Sequence, residues 1–181
     1  MRRSILFFSI AVVSQLLACG GGQAVKQPSE IQVSGSPVYV QSNIPFDKNL
    51  HVRDAVRNEC ALGTKFSHFI QSYGRANGTN VLPTSNLNGK KGRRLEVRII
   101  RMNDAGGGAW SGAKSVAAEG KLIENGKVIG SFRGSRYSGG GAFGGFKGTC
   151  SILGRCVKAL GRDISVWLQA PSMNAVLGDG V

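Results

Sequence analysis

The sequence predicts an α+β domain: a mostly antiparallel sheet of about four strands with two amphipathic helices packed on one face. Apolar residues recur at spacings of three and four through 52–73 and again through 151–168, which is helix periodicity. Between them, 95–100, 115–123 and 127–137 alternate as strands do. The last two stretches are joined by Asn125-Gly126, a strong two-residue hairpin signal. The resulting order, β-α-(β)-β-β-β-α, is that of a two-layer sandwich.

Each element has its own justification. Residues 37–40 (PVYV) form a short strand. In 52–73, Val52, Val56, Leu62, Phe66, Ile70 and Tyr73 lie on one stripe, so a single helix is expected, with Gly63 its weak point and Gly74 near its end. Residues 77–94 read as loop around a short strand at 80–82. Leu95, Val97 and Ile99 share one face of the next strand, and 103–112 form a turn. In the hairpin's second strand Val128, Gly130, Phe132, Gly134 and Arg136 fall together, and its small residues leave room for helices to approach. A glycine-rich loop, 138–148, precedes the second helix, where Leu153, Val157, Leu160, Ile164 and Leu168 make a stripe that Pro171 ends.

The chain has 181 residues, the length of one domain. Hydrophobic residues at 41% are enough for a core, and 27 glycines are about twice the usual ~7%. These values exclude a multi-domain enzyme, a polytopic membrane protein and a disulfide-dense miniprotein.

The amino end reads as a targeting segment. Arg2 and Arg3 precede an apolar run, and Leu16-Leu17-Ala18-Cys19 closes it. This run resembles the lipobox of bacterial lipoproteins. The resemblance implies a signal peptide over 1–18, cleavage before Cys19 and a diacylglycerol on its thiol. The apolar stretch is shorter than the ~20 residues that span a bilayer. Gly20, where retained lipoproteins often carry Asp, implies transfer to the outer membrane. Residues 19–36 have linker composition and form a lipidated flexible tether of roughly 20–25 Å root-mean-square reach. A single periplasmic domain over 37–171 follows, and 172–181 read as a tail.

Three cysteines remain, Cys60, Cys150 and Cys156, and an oxidising periplasm favours a disulfide among them. Cys150 and Cys156 are six apart, so on one helix they stand about 9 Å apart along the axis, too far for a bridge. The expected bridge joins Cys60 to one of them, Cys150 ahead of Cys156, and leaves the third thiol buried and free. Neither His51 nor His68 stands at ligand spacing from a cysteine, so no metal is expected.

Gly139-Gly140-Gly141-Ala142-Phe143-Gly144 matches G-x-G-x-x-G after a strand and before a helix. The helix begins too late to meet a pyrophosphate, and no parallel strand is expected after it. Ser111-Gly112-Ala113-Lys114 matches S-x-x-K without the expected helix. No cofactor and no catalytic residue is assigned. Twenty-three Lys and Arg against ten Asp and Glu leave a formal charge of +13. Lys90, Lys91, Arg93 and Arg94 are its densest cluster and the candidate contact for an anionic surface. Export removes nucleic acid as the partner.

The lipobox, the helix VRNECALGTKFSHFIQSYG, the hairpin ENGKVIGSFRGSRYSGGGAFGGFKG and the stretch TCSILGRCVKALGRDISVWLQAP together resemble small proteobacterial outer-membrane lipoproteins. More distantly they are similar to the auxiliary lipoproteins of ABC-type transport and the TolB amino-terminal domain. The resemblance implies a periplasmic module that binds another envelope protein and performs no catalysis. The second expectation is a binder of lipopolysaccharide or acidic lipid.

Overall fold

The computed structural model describes residues 35–105, 113–139 and 147–180, all within the unit Ile31–Val181. The signal peptide, Cys19, almost all of the tether, Ser111 and Gly140 to Gly144 lie outside the described residues. The elements are β1 (Val38–Gln41), α1 (Asp54–Glu59), α2 (Leu62–Ala76), β2 (Val81–Thr84), β3 (Arg93–Asn103), β4 (Lys114–Glu124), β5 (Lys127–Ser138), α3 (Thr149–Trp167) and β6 (Ala175–Gly178). They form one sheet in the order β2-β1-β3-β4-β5-β6.

The long central strands β3, β4 and β5 are an antiparallel meander. Asn125 (φ 50°) and Gly126 (φ 80°) make the turn between β4 and β5, with the two positive φ angles that match strand twist. Helix-facing side chains from the sheet, among them Val38, Leu95, Ile99, Leu122 and Phe132, meet Phe66, Ile70, Leu153, Val157 and Leu160 in one core. Burial of this apolar area is the main stabilising term.

The expectation of about four mostly antiparallel strands gives way to a six-stranded mixed sheet. β1 runs parallel to both β2 and β3, and β6 runs parallel to β5. The helices are the reason. Each returns the chain across one face of the sheet, and a strand-helix-strand crossover leaves its two strands parallel. Residues read as a tail therefore contribute β6. Arg136 holds it there: its guanidinium grips both oxygens of Asp163 on α3, at 2.8 and 2.9 Å, and donates to Asp179 at 2.8 Å. β6 also supplies the parallel strand whose expected absence counted against the G-x-G-x-x-G match. The late helix start, at Thr149, still counts against it.

The single helix expected over 52–73 is two. Ala61 takes φ 47°, ψ 40°, in the left-handed region, and ends one helix before the next begins. Just beyond it, Gly63 abuts the chain ahead of α1. A β-carbon on Gly63 would meet the Ile44 carbonyl oxygen at 2.3 Å. The residue read as a weak point is the one that lets the two backbones touch.

The two long helices lie side by side and run in the same direction. The Cys60–Cys150 disulfide ties their amino-terminal ends, with 4.8 Å between α-carbons. Midway, Gly161 presses on the Phe69–Ile70 turn. At the far end Asn77 Nδ2 donates to Ser165 Oγ at 3.0 Å. Beneath α3, Gly130 receives the Trp167 indole, which stands edge-on to Phe132 at 5.0 Å.

Candidate functional site

The sheet face turned away from the helices carries the polar arrangement. Arg98 on β3, Glu119 on β4 and Arg133 on β5 stand directly opposite one another in register. Arg98 Nε donates to Glu119 Oε1 at 2.7 Å, and its Nη2 also reaches that oxygen. Arg133 Nε donates to Oε2 at 3.1 Å. Arg98 also stands 3.6 Å from Asp47. Burial works to raise the Glu119 carboxyl, but the hydrogen bonds from Arg98 and Arg133 outweigh it and hold the group below its usual value. With both oxygens occupied and no proton at neutral pH, Glu119 is a structural anion and not a general acid. The arginines remain more than half exposed.

Around this ladder lies an open trough of about 1090 Å3, walled by residues 85–88 on one side and 174–176 on the other. One row along, Glu96 faces Lys121 across β3 and β4. Gln41 closes the end of β1: its amide donates to the Val97 carbonyl at 3.4 Å and accepts from the Val97 N–H at 3.3 Å. The side chain continues the ladder where its own strand stops.

The sequence named Lys90, Lys91, Arg93 and Arg94 as one patch, and the strand divides them. Arg94 pairs in register with Tyr39, on the open face, and Lys90 Nζ sits 5.1 Å from the Tyr39 ring centroid. Lys91 is exposed. Arg93 belongs to the opposite face, where its Nε is shielded from solvent, makes no hydrogen bond and lies 3.6 Å from Glu124. Consecutive strand residues point to opposite faces, so the run cannot act as one surface.

The ladder residues were visible in the sequence only as scattered charges. The turn alone would set Glu119 opposite Phe132. An extra residue on β5, Ile129, shifts the register beyond the turn and brings Arg133 there instead. The same bulge takes Val128 off the face expected for it, to stand opposite Ile123.

Cys156 is a free, buried thiol whose Sγ donates to the Lys114 carbonyl at 3.5 Å. Lys114 is itself 2% exposed, and its ammonium donates to the Ala105 carbonyl at 2.9 Å. Arg53 binds the neighbouring Asp104 carboxylate at 2.8 Å. Together these contacts pin the chain where β3 ends and β4 begins. Among the described residues no three His, Cys, Asp or Glu side chains gather as metal ligands, and no helix is long and apolar enough to cross a membrane.

The fold and site define a mixed-sheet α+β module with both long helices on one side and a charged trough on the other. No family model and no curated protein matches the chain. Solved structures similar to it include the PelC dodecamer from Paraburkholderia phytofirmans, at 16% identity over 71% of this chain and 87% of that one, with a TM-score of 0.46. A minor lipoprotein from Acinetobacter baumannii is 10% identical over 74% and 90%, with a TM-score of 0.42. Lipoprotein GNA1162 from Neisseria meningitidis is 14% identical over 73% and 99%, with a TM-score of 0.40. Two of these three are lipoproteins by name. With every one of these TM-scores below 0.5, the likenesses assign this chain neither family nor function.

Proposed function

We propose that the chain is a lipoprotein of the bacterial outer membrane, anchored through Cys19, whose periplasmic domain is a non-catalytic accessory that binds another envelope protein. The Cys60–Cys150 disulfide is the observation that carries this reading, because such bonds persist in oxidising compartments. The lipobox agrees with it. Among the described residues β6 is an edge strand, and this edge supports the binding role. Val176 and Met173 are 68% and 55% exposed beside it, and an edge strand can take an added strand. At the other edge β2 carries Pro83, which donates no hydrogen bond.

In-cell crosslinking of the tagged protein, followed by pull-down and mass spectrometry, tests the reading. The expected result is a stoichiometric envelope protein that is lost in the Val176→Lys variant, together with release of Cys19→Ala from the membrane-anchored form. Recovery of only lipopolysaccharide or acidic lipid, falling in high salt, would overturn it in favour of a basic contact surface.

A further inference from the structure

We infer that the outer face of the α2–α3 layer is a docking surface for an anionic lipid-headgroup surface, the leaflet into which the chain is anchored. The inference rests on the anchor proposed above for its geometry and on the helices for its chemistry. Exposed residues recur down each helix at spacings of three and four. On α2 they include Lys65, His68 and Arg75, and on α3 Lys158, Arg162 and Val166. Because the helices lie parallel in one layer, the two stripes form a single broad face.

The sign of that face is uniform. α2 contains no acidic residue. The lone acid of α3, Asp163, is turned under the helix and bound by both prongs of Arg136. In the trough and on α1 signs are interleaved: Glu96 faces Lys121, Glu119 sits between Arg98 and Arg133, and α1 mixes Asp54 and Glu59 with Arg57. A single-sign face repels its own charges and is a cost to the fold unless something negative faces it. Phosphate headgroups match it in sign and in flatness. Their field fades within a Debye length, ~8 Å at physiological salt, so only a domain held close gains from it. A short tether from Cys19 provides that proximity. Val166, 58% exposed at the end of the stripe, offers an apolar contact at the headgroup boundary.

The test uses the purified lipidated protein on vesicles of phosphatidylcholine alone and of phosphatidylcholine with phosphatidylglycerol. A membrane-impermeant amine acylating reagent is applied, and each lysine is read by mass spectrometry. Labelling of Lys65 and Lys158 is expected to fall by roughly 3-fold or more on the anionic vesicles and to recover at high salt. Lys121, on the sheet face turned away from the helices, should label equally on both. Equal labelling of Lys65 and Lys158 on the two vesicles overturns the inference and leaves the face to an acidic protein or to solvent. Flotation with the neutral vesicles reads the anchor separately. A protein that fails to float with them lacks the lipid and overturns the anchor, whereas one that floats and labels equally on both vesicles overturns the helix face alone.

Discussion

A cysteine left out of a disulfide is often the reactive group of a protein, and Cys156 shows how burial removes that reactivity. Enclosure by the core pushes its pKa up to about 11, and the negative charge of Asp179 adds to the effect. An unfolded chain would ionise this thiol near its ordinary value of 9.0. The neutral thiol therefore favours the folded state fully below that value, and its contribution is lost as pH rises through the folded pKa. The thiolate is the nucleophile, so the native protein should resist alkylation at neutral pH. Iodoacetamide followed by peptide mass mapping is expected to leave Cys156 unmodified in the folded protein and to modify it in denaturant. Rapid modification of the folded protein would mean that the thiol is accessible. Helical spacing excluded a Cys150–Cys156 bridge but did not decide which of the two joins Cys60. The sequence held no sign that the Lys114 carbonyl would accept the hydrogen bond of Cys156.

At the scale of elements, the α2–α3 contact depends on an absent side chain. A β-carbon on Gly161 would stand 2.8 Å from the Phe69 β-carbon and 3.2 Å from the Ile70 nitrogen. Both are parts of a helix that cannot move alone, so overpacking costs about 1–3 kcal/mol. The gain in helix propensity is at most about 1 kcal/mol. Gly154 on the same helix has nothing within 4 Å of such a carbon. Urea denaturation should therefore show Gly161→Ala lowering the midpoint and Gly154→Ala raising it. Equal shifts in one direction would mean that packing does not govern this contact. The elements legible in the sequence were those with many periods: the meander and α3 repeat their pattern over eleven or more residues. The four-residue strands β1, β2 and β6 offer too few alternations to reveal a partner or a direction. The break at Ala61 was announced only by the weak point at Gly63, two residues on, because the disulfide and the Ile44–Gly63 contact act through space.

For the whole molecule, the Cys60–Cys150 bond closes a long loop, at a sequence separation of 90. Constraining an unfolded chain over that length is worth about 4.6 kcal/mol in the chain-entropy account. Reduction, or the Cys60→Ala/Cys150→Ala pair, should lower stability by about that much, read from urea midpoints by circular dichroism. An unchanged midpoint would show that packing alone holds α2 and α3 together. The sheet order sets a further condition, on the sequence of events as the chain first emerges. β1 lies between β2 and β3, so its pairing groups wait for residues 81–84 and 93–95, more than forty positions behind. A chain threaded amino end first must carry β1 unsatisfied until the meander's leading strand has followed it out. The last four-residue strand then joins the opposite margin, which can form only after β5 exists.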